Sequence, residues 1–232
     1  MKTPSIIQSN SIYSPPLRGS GEGVCGVCTL LLSSSYLAPI QWYAKLLAHP
    51  DAYVDIHEHY VKQTYRNRCR ILMPDGPADL VVPVEAASTH TPICDLRISE
   101  HGAWRHHHWN ALRTAYGNSP FFEFYADDLA PFYERRIPFL VDFNEGLRAI
   151  LCQLIDIDTP VHLTTAYVSE ATNDYRTLIS PKQPLNADAA FQPAPYYQVF
   201  ALRLGFQPNL SIVDLLFNMG PESILTLQAS TI

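Results

Sequence analysis

Charge is scarce in this sequence. Only 16% of its 232 residues are Asp, Glu, Lys or Arg, against about 25% in an ordinary globular chain. With 47% hydrophobic residues beside it, that low charge excludes intrinsic disorder. Cysteine is sparse as well. Five cysteines in 232 residues, an odd number, exclude a disulfide scaffold. Basic charge is short, with 16 Lys and Arg against 22 Asp and Glu, a net charge of -6. No long Lys/Arg block stands out, so a general nucleic-acid coat is excluded. A bilayer-length apolar run is missing. Residues 24–44 carry no charge, yet Ser33-Ser34-Ser35, Pro39 and Gln41 make them too polar for a span. Glu22 stands where a secretory signal places positive charge, so the expected compartment is the cytoplasm. There is no G-x-S-x-G, P-loop or G-x-G-x-x-G.

What is there has the order of one α/β domain, with α+β as the variant: a short mixed sheet in the N-terminal half, then mainly helices. Residues 1–26 are polar or Gly/Pro-broken and read as a disordered leader or a mis-called start, leaving 27–232 as the domain. Residues 27–34 and 52–56 predict strands. Between them Pro39 starts a helix with Ile40, Tyr43, Leu46 and Leu47 on one face. Asp75-Gly76 marks a hairpin between 70–73 and 80–84. Residues 94–99 and 161–168 predict further strands. Helices are expected from Trp104, from the Ser119-Pro120 cap and from Pro138, the last with Leu140, Phe143, Leu147, Leu151 and Leu154 as its stripe. Residues 170–195 predict a long surface loop. Ser211 predicts the cap of a final helix that Gly220-Pro221 stops.

Four constellations carry possible chemistry. On a strand, His57 and His59 would share a face and a metal. No third ligand follows at a recognised spacing, so no metal ligand is assigned and no cofactor is named. Lys62, Arg66, Arg68 and Arg70 fall within nine residues of an acidic chain. Arginines there suit a carboxylate or phosphate, Asn67 suits an amide or hydroxyl, and a solvated basic turn is the bland reading. In His106-His107-His108, adjacent helical positions point about 100° apart, and only His108 borders the apolar face. Cys25-Gly26-Val27-Cys28 lacks the second pair of a zinc site. Cys152 reads as core, and a thiol nucleophile would be Cys69 or Cys94.

Several segments resemble the WbqC-like protein family. They are 36–43 (YLAPIQWY), 60–71 (YVKQTYRNRCRI), 80–84 (LVVPV), Trp104 with His108-Trp109, 116–122 (YGNSPFF), 140–144 and 211–218 (SIVDLLFN). Many members carry His-Gln-Pro before the first Tyr, where Ser33-Ser34-Ser35 stands here. The resemblance implies a role in O-antigen or surface-polysaccharide production, with an acyl or aminoacyl group, glycine among them, transferred onto an amino sugar or sugar nucleotide. On that reading Tyr36, Lys62, Arg66, Asn67 and Arg68 bind an anionic small molecule or sugar nucleotide, and His59 or His108 is the general base. A non-catalytic binding or assembly factor for glycan precursors is the alternative. A metal hydrolase built on His57 and His59 is the third.

Overall fold

The computed structural model describes residues 30–232; the leader, Cys25 and Cys28 lie outside them. The chain begins with a β-α-β unit. Strand β1 (Leu31–Ser33) leads into helix α1 (Ile40–Leu47), and the chain returns as strand β2 (Ala52–Asp55) parallel to β1. A helical return is what a parallel pair requires, since a tight turn can join only antiparallel strands. β1 is buried on both faces, which explains its unbroken Leu30-Leu31-Leu32 run.

The Asp75-Gly76 signal does form a hairpin. Strand β3 (Arg68–Met73) pairs antiparallel with β4 (Gly76–Val81), Met73 opposite Gly76 and Arg70 opposite Asp79. Gly76 takes φ +128, a conformation that side chains disfavour. The expected strand at 94–99 is not one. Residues Ile93–Asp95 form a 3-10 turn, and Arg97 and Ile98 make only single bridges to Phe139 and Val84.

Helices α2 (Trp104–Tyr116), α3 (Phe122–Glu134) and α4 (Leu140–Ile155) follow. Leu140, Phe143, Leu147, Leu151 and Ile155 are the buried stripe of α4. Ser119 does not cap α3; its hydroxyl donates to the Tyr116 carbonyl at 2.6 Å and closes α2. Strand β5 (Val161–Leu163) then pairs parallel with β2, giving the order β1-β2-β5. The sheet is therefore completed only after three helices, and the hairpin stands as a separate two-stranded unit.

A short helix α5 (Ala201–Leu204), α6 (Ile212–Met219) and α7 (Ser223–Ala229) end the chain. The last of these was not expected, because Gly220-Pro221 stops α6 without ending helical structure. Ser211 does not cap α6 with its side chain; its hydroxyl donates to the Leu37 carbonyl at 2.7 Å, tying α6 to the loop before α1. One continuous core, from Leu30 to Leu227, joins sheet, hairpin and helices, so strands in the first half and helices in the second make a single domain. No helix among the described residues is long and apolar enough to cross a membrane.

Candidate functional site

Because β1, β2 and β5 are parallel, their C-terminal ends share one edge, the place where open α/β sheets bind ligands. Ser33 ends β1, Asp55 ends β2 and Thr164 follows β5. Asp55 is fully buried. It accepts from the Thr164 hydroxyl (3.0 Å), Arg176 Nη1 (2.6 Å) and the backbone N–H groups of His57 (2.9 Å) and Glu58 (3.1 Å). Arg176 turns its other side to Asp174 at 2.6 Å, and its guanidinium lies 5.2 Å from the Tyr167 ring centre.

The bend after β2 brings in Glu58, which Arg66 grips with Nε (3.0 Å) and Nη2. Burial pushes the Glu58 carboxyl up, and Arg66 opposes that shift. The N-terminal half of α4 closes the cluster. Asn144 Nδ2 donates to the Arg66 carbonyl (2.9 Å) and to Ser34 Oγ (3.3 Å). Ser34 Oγ donates in turn to Glu145 (3.0 Å), which also accepts from Arg148 (2.6 Å). The edge thus gathers four carboxylates, Asp55, Glu58, Glu145 and Asp174, and three guanidinium groups, Arg66, Arg148 and Arg176.

Tyr36 and His108 come together beside this cluster. The Tyr36 hydroxyl lies 2.9 Å from His108 Nδ1 and 2.9 Å from the Tyr133 hydroxyl. With Nδ1 unprotonated, His108 accepts from Tyr36, and Tyr36 accepts from Tyr133. Burial first, with the neighbouring His107, pulls His108 down to about 4, so it is neutral near pH 7. His106 and His107 are exposed, as the helical spacing predicts.

The basic stretch does not present four free charges. Arg66 is buried on Glu58. Arg68 and Arg70, two apart on β3 and so on one face, both reach Asp79 of β4, at 3.4 and 2.8 Å. Asn67 Nδ2 donates to the Val82 carbonyl at 2.9 Å, while its Oδ1 and Arg68 Nε are buried without a partner among the described residues. Lys62 is exposed.

His57 and His59 do not share a strand face, because β2 stops at Asp55. His57 Nδ1 lies 3.9 Å from Cys94 Sγ, and the exposed His59 ring packs edge-on against His90. Among the described residues no group of three or more His, Cys, Asp or Glu is placed to hold a metal. Cys69 is buried, and its thiol is pushed far up by that burial.

Asp55, Ser34, Glu145 and Arg176 carry much of this geometry without standing in the predicted site. The one local signal for Asp55 was its position, an acid ending an apolar strand. Arg176 sits in a segment that reads as loop and offered none.

Fold and site define an α/β domain whose charged groups converge on the C-terminal edge of a small parallel sheet. The chain belongs to the WbqC-like protein family, whose model matches residues 34–195. It is similar to the uncharacterized protein Rv1507c of Mycobacterium tuberculosis, 27% identical over 219 residues, which covers 83% of this chain and 94% of that one. No solved structure matches.

Proposed function

We propose that the protein is an acyl- or aminoacyl-transferase acting on an amino sugar or sugar nucleotide in surface-polysaccharide biosynthesis, with glycine a candidate acyl group. The observation that carries this reading is the charge arrangement at the sheet edge. Its four carboxylates exceed its three guanidinium groups, and Asp174 keeps about a third of its side-chain surface exposed. An excess carboxylate suits an amine acceptor. Lys62 and Arg68, on the approach from the hairpin, suit the anionic part of the same molecule. His59 is exposed and can take the proton that the attacking amine loses. His108, buried against the Tyr36 hydroxyl, orients Tyr36 instead. Family membership supports the glycan setting.

The test is direct. Purified protein is incubated with an acyl or glycyl donor and a nucleotide-linked amino sugar, and the sugar is followed by mass spectrometry. Acylated sugar is expected, and is lost with His59→Gln or Arg68→Gln. Cells that depend on this gene and carry either variant should make polysaccharide without the acyl group. Unchanged polysaccharide composition would sink the proposal.

One observation favours a non-catalytic glycan-precursor binder instead: every carboxylate of the edge already contacts an arginine, Arg176 serving two of them. Sugar-nucleotide binding without turnover by any acyl donor would establish that reading.

A further inference from the structure

A separate concavity lies on the other side of the basic stretch. It measures roughly 150 Å³ and is bounded by Tyr65 and Arg70, by Gln41 and Asn209, and by Ser180 and Gln183 of the segment that follows Arg176. Its size decides what class of ligand fits. Drug-sized ligands occupy about 300–1,000 Å³, so this space takes one ring and not a whole nucleotide.

The lining is preformed. Gln41 and Asn209 are buried and hold each other: the Gln41 backbone N–H donates to Asn209 Oδ1 at 2.9 Å, and Asn209 Nδ2 donates to Gln41 Oε1 at 3.2 Å. Gln41 Nε2 is fixed on Asp188 at 2.8 Å, and Asp188 is itself paired with Lys45. Pro181, Pro184 and Pro208 stiffen the rim. Little ordering cost is left for a ligand to meet.

Two of the lining residues, Arg70 and Tyr65, bring donors to this space. Asp79 occupies Arg70 Nε and Nη2; among the described residues Arg70 Nη1 and the Tyr65 hydroxyl have no hydrogen-bond partner. The surroundings are cationic in an acidic protein. Arg68 and Arg70 share the single carboxylate of Asp79. Lys182, exposed and between lining residues, reaches the Lys62 backbone carbonyl at 3.4 Å.

We infer that this concavity is a binding site for a single sugar ring bearing a phosphate or carboxylate. The anionic group sits on Arg70 Nη1 and the Tyr65 hydroxyl, with Lys182 completing the field. The ring lies against the Tyr65 face and the prolines, and its hydroxyls meet Ser180 and Gln183. The proposal deepens the transferase reading and rests on it for the sugar. The experiment contains no acyl donor, so failure to bind here is distinct from failure to transfer.

Full-length protein is titrated by calorimetry with glucose 1-phosphate, glucuronate, glucose and inorganic phosphate. At least one of the two anionic sugars should bind, and the tighter identifies the charged group. Glucose and inorganic phosphate should each bind at least about tenfold more weakly. Arg70→Gln, on a half-exposed side chain, should weaken the anionic sugar about tenfold, and Ser180→Trp should fill the space and abolish binding, both at unchanged Tm. The proposal is overturned if neither anionic sugar binds at roughly 10 mM, if inorganic phosphate binds as well as the sugar, or if both folded variants keep wild-type affinity.

Discussion

The Tyr36 hydroxyl and His108 Nδ1, 72 positions apart in the chain, meet at 2.9 Å in a buried contact. The burial of that contact favours a neutral imidazole. Burial holds His108 at about 4, below its ordinary value near 6.5. Its share of stability is therefore present above about pH 6.5 and lost as pH falls through about 4. Asp214 runs the other way. Burial pushes it up to about 6, against the hydrogen bonds of Tyr196 and Tyr116. Its share is present below about pH 4 and lost as pH rises through about 6. Each shift is worth on the order of 3 kcal/mol, so the two oppose over one window. Asp214→Asn should make stability rise more steeply from about pH 4.5 to 6.5, and His108→Gln should make it rise less steeply or fall. Urea denaturation at three pH values reads the slopes; parallel slopes in both variants would refute the assignment.

Glu58 and Arg66 form a buried ion pair with both side chains 7% exposed. Breaking such a pair from one side costs about 3–5 kcal/mol, while replacing both partners by apolar residues is often near neutral. Glu58→Leu should therefore destabilise strongly, and Glu58→Leu with Arg66→Met should recover most of the loss. A double-mutant cycle in denaturant measures this. Additive losses would mean that Arg66 finds another partner.

Much of the fold is legible in the sequence because it follows local rules: the Leu30-Leu31-Leu32 strand, the Gly76 hairpin and the α4 stripe are each set by neighbours a few positions away. The site is less so. Gln41 and Lys45 look like the solvent side of α1, yet both are buried, because Asp188 from a Pro-rich segment covers them. The residues 170–195, expected as a surface loop, are thus anchored through buried Arg176, Ile179, Asp188 and Phe191. Arg66 and Arg68 look alike in sequence, but one faces Glu58 and the other Asp79. Such pairings are set by tertiary packing, which local pattern does not encode.

Gly220 sits at φ +55, and a Cβ there would lie 2.6 Å from the Phe121 ring. Left-handed backbone costs about 1–2 kcal/mol in other residues, and forced overpacking about 1–3 kcal/mol. Gly220→Ala should lower stability by roughly 2–4 kcal/mol. Phe121→Ala in the same chain should relieve part of the added cost, measured by chemical denaturation.

Cys94 is the reactive thiol expected among Cys69, Cys94 and Cys152. It is half-buried beside His57, whereas burial raises Cys152 to about 11 and Cys69 further. Thiolate is the attacking form. Alkylation of the native protein followed by peptide mass spectrometry should label Cys94 before Cys69 and Cys152, and more slowly in His57→Ala. Equal labelling of the three would contradict the burial.

Two buried ion pairs bridge long stretches of chain: Arg176 reaches back 121 positions to Asp55, and Asp188 reaches back 143 to Lys45. During synthesis both early charges exist long before their partners. At about 5–20 residues per second, Asp55 waits roughly 6–24 s for Arg176 to be made. Over that interval the emerging chain holds an acid and an amine that must stay hydrated, because burying either alone costs several kcal/mol. The first β-α-β unit therefore cannot seal early. Its closure is timed by the arrival of residues 176–188, so a chain truncated before them should be held open by its own unpaired charges.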